Sequence, residues 1–145
     1  MHCKQDDSAR GNLRPVRDMK VLALAGTLAT TRRRIARDRQ EVSSFMRAFV
    51  EAIHFFKTNR DVSIRIMQKF MAGLPREIVE PLYEETRDFL PTLPLPMKEA
   101  IQAVLDREND AKARVLQPAD VADFSFLQEI EKSGFLKELY KSTVK

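Results

Sequence analysis

The sequence predicts a mostly α-helical chain, with about five helices and one candidate strand near residues 20–31. Three observations predict it. Apolar residues recur at helical spacing from Val42 onward, most glycines and prolines fall between those rows, and only one short stretch has the small and β-branched character of a strand.

Residues 1–18 are polar and read as a poorly ordered start, leaving 19–145 as the folded part. Lys20 to Thr31 (KVLALAGTLATT) is the candidate strand, interrupted at Gly26. A strand needs a neighbour, and no second segment offers one. Val42, Phe45, Met46, Phe49, Val50, Ile53 and Phe56 then form a single stripe of a 3.6-residue period, with Arg39, Glu41, Arg47, Glu51 and Lys57 elsewhere around the helix. Asp38 is the expected N-cap, and Asn59 is expected to end the helix in a left-handed conformation.

Asp61 to Met71 reads as a second helix with Ile64, Met67, Phe70 and Met71 inward, stopped by Gly73. Pro75 suits the first turn of a third helix through Ile78, Val79, Leu82 and Phe89, in which Pro81 predicts a kink. Pro91, Pro94 and Pro96 force an extended linker, because each disfavours a helical residue before it. Met97, Ile101, Val104 and Leu105 mark a fourth helix, and Ser125 to Tyr140 a fifth, broken near Gly134. One strand beside so many helices fits either a helical bundle with an ordered arm or a piece of an α/β protein.

At 145 residues and 43% apolar, the chain has the size and composition of one globular domain. Its net charge of +4 is uneven: residues 1–40 hold ten Lys or Arg against four Asp, and the remainder is slightly acidic. Cys3 is the only cysteine, and His2 and His54 stand apart, so neither a disulfide nor a metal-ligand spacing is legible and no cofactor is expected. The start MHCKQDDSARGNLR has no apolar core of a signal peptide, and no run reaches the roughly 18–20 apolar residues of a membrane span. Read as written, the chain is expected in the cytoplasm.

The run GTLATTRRRIARDRQEVSSFMRAFVEAIHFFKTNRDVSIRIMQKF resembles the C-terminal part of the solute-binding proteins of ABC transporters, in the nitrate/sulfonate/taurine group with the NMT1/THI5-like domain. The likeness is carried in order by Thr30, Thr31 and Arg32; by Val42, Phe45, Arg47, Ala48, Val50, Glu51 and Ala52; by Phe56, Lys57 and Asn59; and by Ser63, Ile64 and Lys69. Pro94 to Asp106 continues it, and Pro118, Asp120, Asp123, Ser125, Phe126, Leu127, Ser133, Gly134, Phe135, Leu139 and Tyr140 complete it, so that roughly residues 12–141 are covered. No single motif is diagnostic; the collinear series carries the likeness.

The resemblance implies part of an α/β two-lobe periplasmic-binding-protein fold, a hinged receptor that closes on a small solute and delivers it to an ABC permease. It implies a non-enzymatic, periplasmic protein whose full form is about twice this length, most of its binding cleft being built by residues this sequence does not contain. A related enzyme of pyrimidine synthesis shares the domain, but no nucleophile, base or phosphate loop is legible here.

Gly26, Thr27, Thr30 and Thr31 are the candidate ligand-binding residues, offering hydroxyl and backbone donors to an anionic solute; a strand end or hinge crossing is the plainer reading. The cluster Arg32, Arg33, Arg34, Arg37 and Arg39 is either a solvated helix start or a contact for nucleic-acid phosphates. No aromatic interleaves it, so it makes no stacking platform. The alternative function is accordingly a small helical interaction protein whose basic segment binds nucleic acid or an acidic partner. His54 has no catalytic partner at a readable spacing. The apolar stripes, if not all covered, predict self-association.

Overall fold

The longest element organises the rest. In the computed structural model, which describes residues 27–141, a short helix α1 (Arg32–Arg37) leads into the 20-residue helix α2 (Arg39–Thr58). The Asp38 carboxylate between them accepts the Glu41 N–H at 2.8 Å, which is the expected N-cap. Helices α3 (Arg60–Phe70), α4 (Arg76–Phe89), α5 (Lys98–Leu105), α6 (Ala111–Arg114), α7 (Pro118–Val121), α8 (Ser125–Lys132) and α9 (Phe135–Lys141) follow. Helices hold 71% of the described residues, and no strand occurs among them.

The candidate strand is therefore not seen where it can be judged. Residues 20–26 lie outside the described residues, as do residues 1–18, which the sequence reads as a poorly ordered start, and Thr27 to Thr31 are exposed, non-helical chain. Three short helices, α1, α6 and α7, were not legible as apolar rows because none of them buries a residue. They are held by end groups instead: Thr31 caps α1, Asp110 caps α6, and Asp120 accepts the Gln117 N–H at 2.8 Å at the start of α7.

At about 1.5 Å per residue, α2 is roughly 30 Å long, and it serves two separate cores. Near its middle, Val50 packs with Leu127 and Ile130 of α8, bordered by Met46, Leu93, Phe135, Leu136 and Leu139. At its C-terminal end, Phe56 borders a second cluster of Ile64, Val79 and Tyr83, from α3 and α4. Ala100, Ile101 and Leu105 are buried on α5, which packs against α7.

Several expected inward residues face out. Phe70 is 85% exposed. The inner row of α3 is Ile64 and Met67, and Phe70, six positions after Ile64, points about 120° away from it around the helix. On α4 the inner row is Val79 and Tyr83, one turn apart, whereas Ile78, Leu82 and Phe89 are exposed. On α2, Phe45 is exposed, as are Met97 just before α5 and Val104 on it.

Two chain breaks also differ in detail. Asn59 does not turn left-handed: at φ −116° and ψ 65° it donates its N–H to Phe55 O at 2.9 Å while its carbonyl accepts from Ser63 N at 2.9 Å. Since α3 begins at the next residue, Asn59 must cap both helices, and a left-handed excursion would break that continuity. The excursion occurs after α3, where the Gly73 N–H reaches back to Gln68 O at 2.8 Å and Ala72 holds φ 54°. Helix α4 runs through Pro81, which is exposed, so water can solvate the carbonyl of Glu77 that the proline cannot serve. Gly134, at φ 78°, separates α8 from α9 as expected.

Candidate functional site

The basic start of the described chain gathers into a shallow concavity. Thr31 adopts extended backbone at φ −95° and ψ 148°, and its Oγ1 accepts the Arg34 N–H at 3.1 Å. One helical turn then places Arg33, Arg34 and Arg37 beside that hydroxyl, and the four side chains line a pocket of about 420 Å³. Of the sequence-predicted candidates, only Thr31 belongs to it. Thr27 and Thr30 are exposed, and Gly26 lies outside the described residues.

The arginines of the cluster divide by what they touch. Arg32 donates to the Asp120 carbonyl on α7, and Arg34 pairs with Glu41. Arg39 donates to Ser125 Oγ at 3.0 Å, pairs with Glu129, and lays its guanidinium 4.3 Å from the centre of the Phe126 ring. Ser125 in turn donates to Asp123 Oδ1 at 2.5 Å, and this bond, with the Ser125 N–H, holds the Asp123 carboxyl below its ordinary range. Arg32 thus ties α1 to α7, Arg34 ties α1 to α2, and Arg39 ties the first turn of α2 to α8. Arg33 and Arg37 have no ion pair among the described residues. One turn apart on α1, both line the pocket.

His54 packs edge-on against Tyr140, with ring centres 4.5 Å apart at 85°. The Tyr140 hydroxyl is buried without a hydrogen-bond partner among the described residues, and burial pushes its pKa up. Among the described residues no group of His, Cys, Asp or Glu could hold a metal ion, and no helix is long and apolar enough to cross a membrane. Comparison with models of protein families, with curated proteins and with solved structures found no match.

The apolar surface is the other notable feature. Phe45 and Phe55 on α2, Ile66 and Phe70 on α3, and Ile78, Leu82 and Phe89 on α4 are exposed, against two buried clusters of three residues each. These helices are amphipathic around more of their circumference than their neighbours cover.

Proposed function

We propose that this chain is the C-terminal helical portion of the solute-binding component of an ABC transporter, serving a small anionic solute of the nitrate or sulfonate kind and performing no catalysis. The observation that carries the reading is the set of exposed apolar side chains on consecutive helices, from Phe45 to Phe89. Scattered apolar residues are ordinary on a protein surface, but rows on three successive helices resemble the inner side of a helical layer that covers a sheet. The collinear residue series from Thr30 to Tyr140 supports the same assignment. In that setting the partners are the solute and a membrane permease, and the working compartment is the periplasm.

The coding sequence upstream of Met1 tests this. The reading expects an in-frame extension of about 150 codons or more, the size of a further domain, with alternating strand and helix patterns and an export signal. Stop codons immediately upstream in all three frames overturn it. The longer product, if encoded, is expected to bind an alkanesulfonate or nitrate by calorimetry, and a product that binds neither overturns the solute assignment.

A further inference from the structure

We infer that the turn between α3 and α4 is a lipid-docking tip, which inserts its apolar side chains into the surface of a membrane carrying anionic headgroups. A turn lies at the edge of a helical layer, so the inference does not need the transporter reading.

Turns are ordinarily polar because they meet water, and this one is not. Phe70 to Pro75 reads FMAGLP, six residues without a polar side chain, and Ile78 adds an apolar group in the first turn of α4. Phe70 is 85% exposed and Ile78 58%, and a methyl group built on Gly73 would meet nothing within 4 Å, so the tip projects into open space. A bilayer needs no matching groove to receive it.

The second observation is where the turn's backbone polar groups go. Acyl chains offer them no hydrogen bonds, so a tip that enters lipid must satisfy them itself. The Met71 N–H donates to Met67 O at 2.8 Å, the Gly73 N–H to Gln68 O at 2.8 Å and the Leu74 N–H to Met71 O at 3.2 Å, and Pro75 has no N–H. The Gln68 side chain donates to Leu74 O at 3.1 Å, and Pro75 O accepts from the Ile78 N–H at 3.1 Å. Charge points the same way. Arg65 and Lys69, both exposed and one turn apart, precede Ile66 and Phe70 around α3. Cations on long stems beside an inserted tip sit at headgroup level, where anionic lipid attracts them. No helix among the described residues can cross a membrane, so the docking is interfacial.

The chain has no tryptophan, so Phe70→Trp puts one reporter at the tip and Phe89→Trp another roughly 16 Å along α4 from Ile78. Each full chain is titrated with vesicles of phosphatidylcholine and phosphatidylglycerol, then with vesicles brominated in the acyl chains. The indole at position 70 is expected to shift its emission to shorter wavelength and to be quenched by bromine, and the one at position 89 to do neither. Phe70→Ser/Leu74→Ser should weaken flotation with the vesicles by at least about tenfold, and Arg65→Gln/Lys69→Gln by about fivefold per cation. Flotation without quenching at position 70 assigns lipid binding to the basic start of the chain and overturns the tip. A shift without quenching means that protein, another copy included, covers the turn, and overturns it too. Equal quenching at both positions, or no flotation, has the same force. The indole readings keep an aromatic ring at position 70, so they stand even if the serine variant loses its helices. The upstream coding sequence decides the transporter reading separately, so either idea can fail without the other.

Discussion

Ala72 sits where helix α3 ends in a left-handed turn, with φ 54°, a position that usually belongs to glycine. A side chain there costs roughly 1–2 kcal/mol, while glycine would cost about 0.4–1 kcal/mol through the freer unfolded chain. Ala72→Gly is therefore expected to raise stability by about 0.5–1 kcal/mol, read as a higher urea midpoint at unchanged slope. Gly134 runs the same argument backwards. It holds φ 78° in open space, so Gly134→Ala meets no steric block, and the backbone cost less the stiffer unfolded chain should leave a net loss of about 0.5–1 kcal/mol. The Tyr140 hydroxyl is the third single-atom problem: buried and with no partner among the described residues, it loses its water without recovering a bond there. Tyr140→Phe should leave stability unchanged or raise it by about 1 kcal/mol, and a clear loss in the same titration would reveal a partner for the hydroxyl.

Between elements, the ends of α2 and α4 cap each other. Phe56 O near the end of α2 accepts from Tyr83 OH of α4 at 2.9 Å and from Ser63 Oγ of α3 at 3.2 Å. In return the Lys57 ammonium donates to Arg87 O and Leu90 O, both at 2.6 Å, where α4 ends. Helix ends leave carbonyls without intrahelical partners, and here each helix answers the other's. Lys57→Met keeps the apolar stem and removes the donors; it should cost about 1–3 kcal/mol, seen as a lower melting temperature with helix content intact at low temperature.

An ion network fastens the α3–α4 pair on its exposed side. Arg76 contacts Asp61 at 2.7 Å and Glu80 at 2.6 Å, and Arg60 contacts Glu84 at 2.7 Å. Hydrogen bonds from Arg76 hold the Asp61 and Glu80 carboxyls below their ordinary range. Groups depressed in the folded state bind protons more readily once unfolded, so their contribution is full above the unfolded carboxylate range and is lost as pH falls through the folded values. The urea midpoint should fall as pH is lowered below about 4.5, and Arg76→Gln should flatten that fall. An unchanged pH profile in the variant would show the network to be inert.

What was legible in the sequence follows from these same interactions. The α2 stripe, the Asp38 cap and the Gly134 break could be read because each is local: periodicity, a capping carboxylate, a residue that tolerates positive φ. Tyr83 was not read as core, yet it is fully buried, because its polar tip hides a ring that packs 4.9 Å from that of Phe56. Phe70 and Ile78 were read as core and are exposed, since apolarity fixes only that a face wants covering, not which neighbour arrives. Of the candidate site, the arginine cluster and Thr31 were visible as composition. Which arginines are spoken for depends on Glu41, Asp120 and Glu129, the last two more than eighty residues away in sequence, and no local pattern encodes that.

At the scale of the whole molecule, the two cores joined through α2 leave the α3–α4 hairpin with apolar residues around its turn. Phe70 at the end of α3, Leu74 in the turn and Ile78 in the first turn of α4 are all exposed and lie within nine residues of one another. Such a surface gains by contact with any apolar partner, including another copy of the chain, at roughly 25 cal/mol per Å² removed from water. The sedimentation coefficient of the purified chain should therefore rise with concentration through the micromolar range. Phe70→Lys combined with Ile78→Lys should flatten that rise while leaving far-ultraviolet circular dichroism and the thermal midpoint essentially unchanged, because neither residue belongs to a buried cluster. If the double variant associates as strongly as the parent, the association runs through another face. If it unfolds, those two side chains are holding the hairpin together, and the exposed turn is part of the fold.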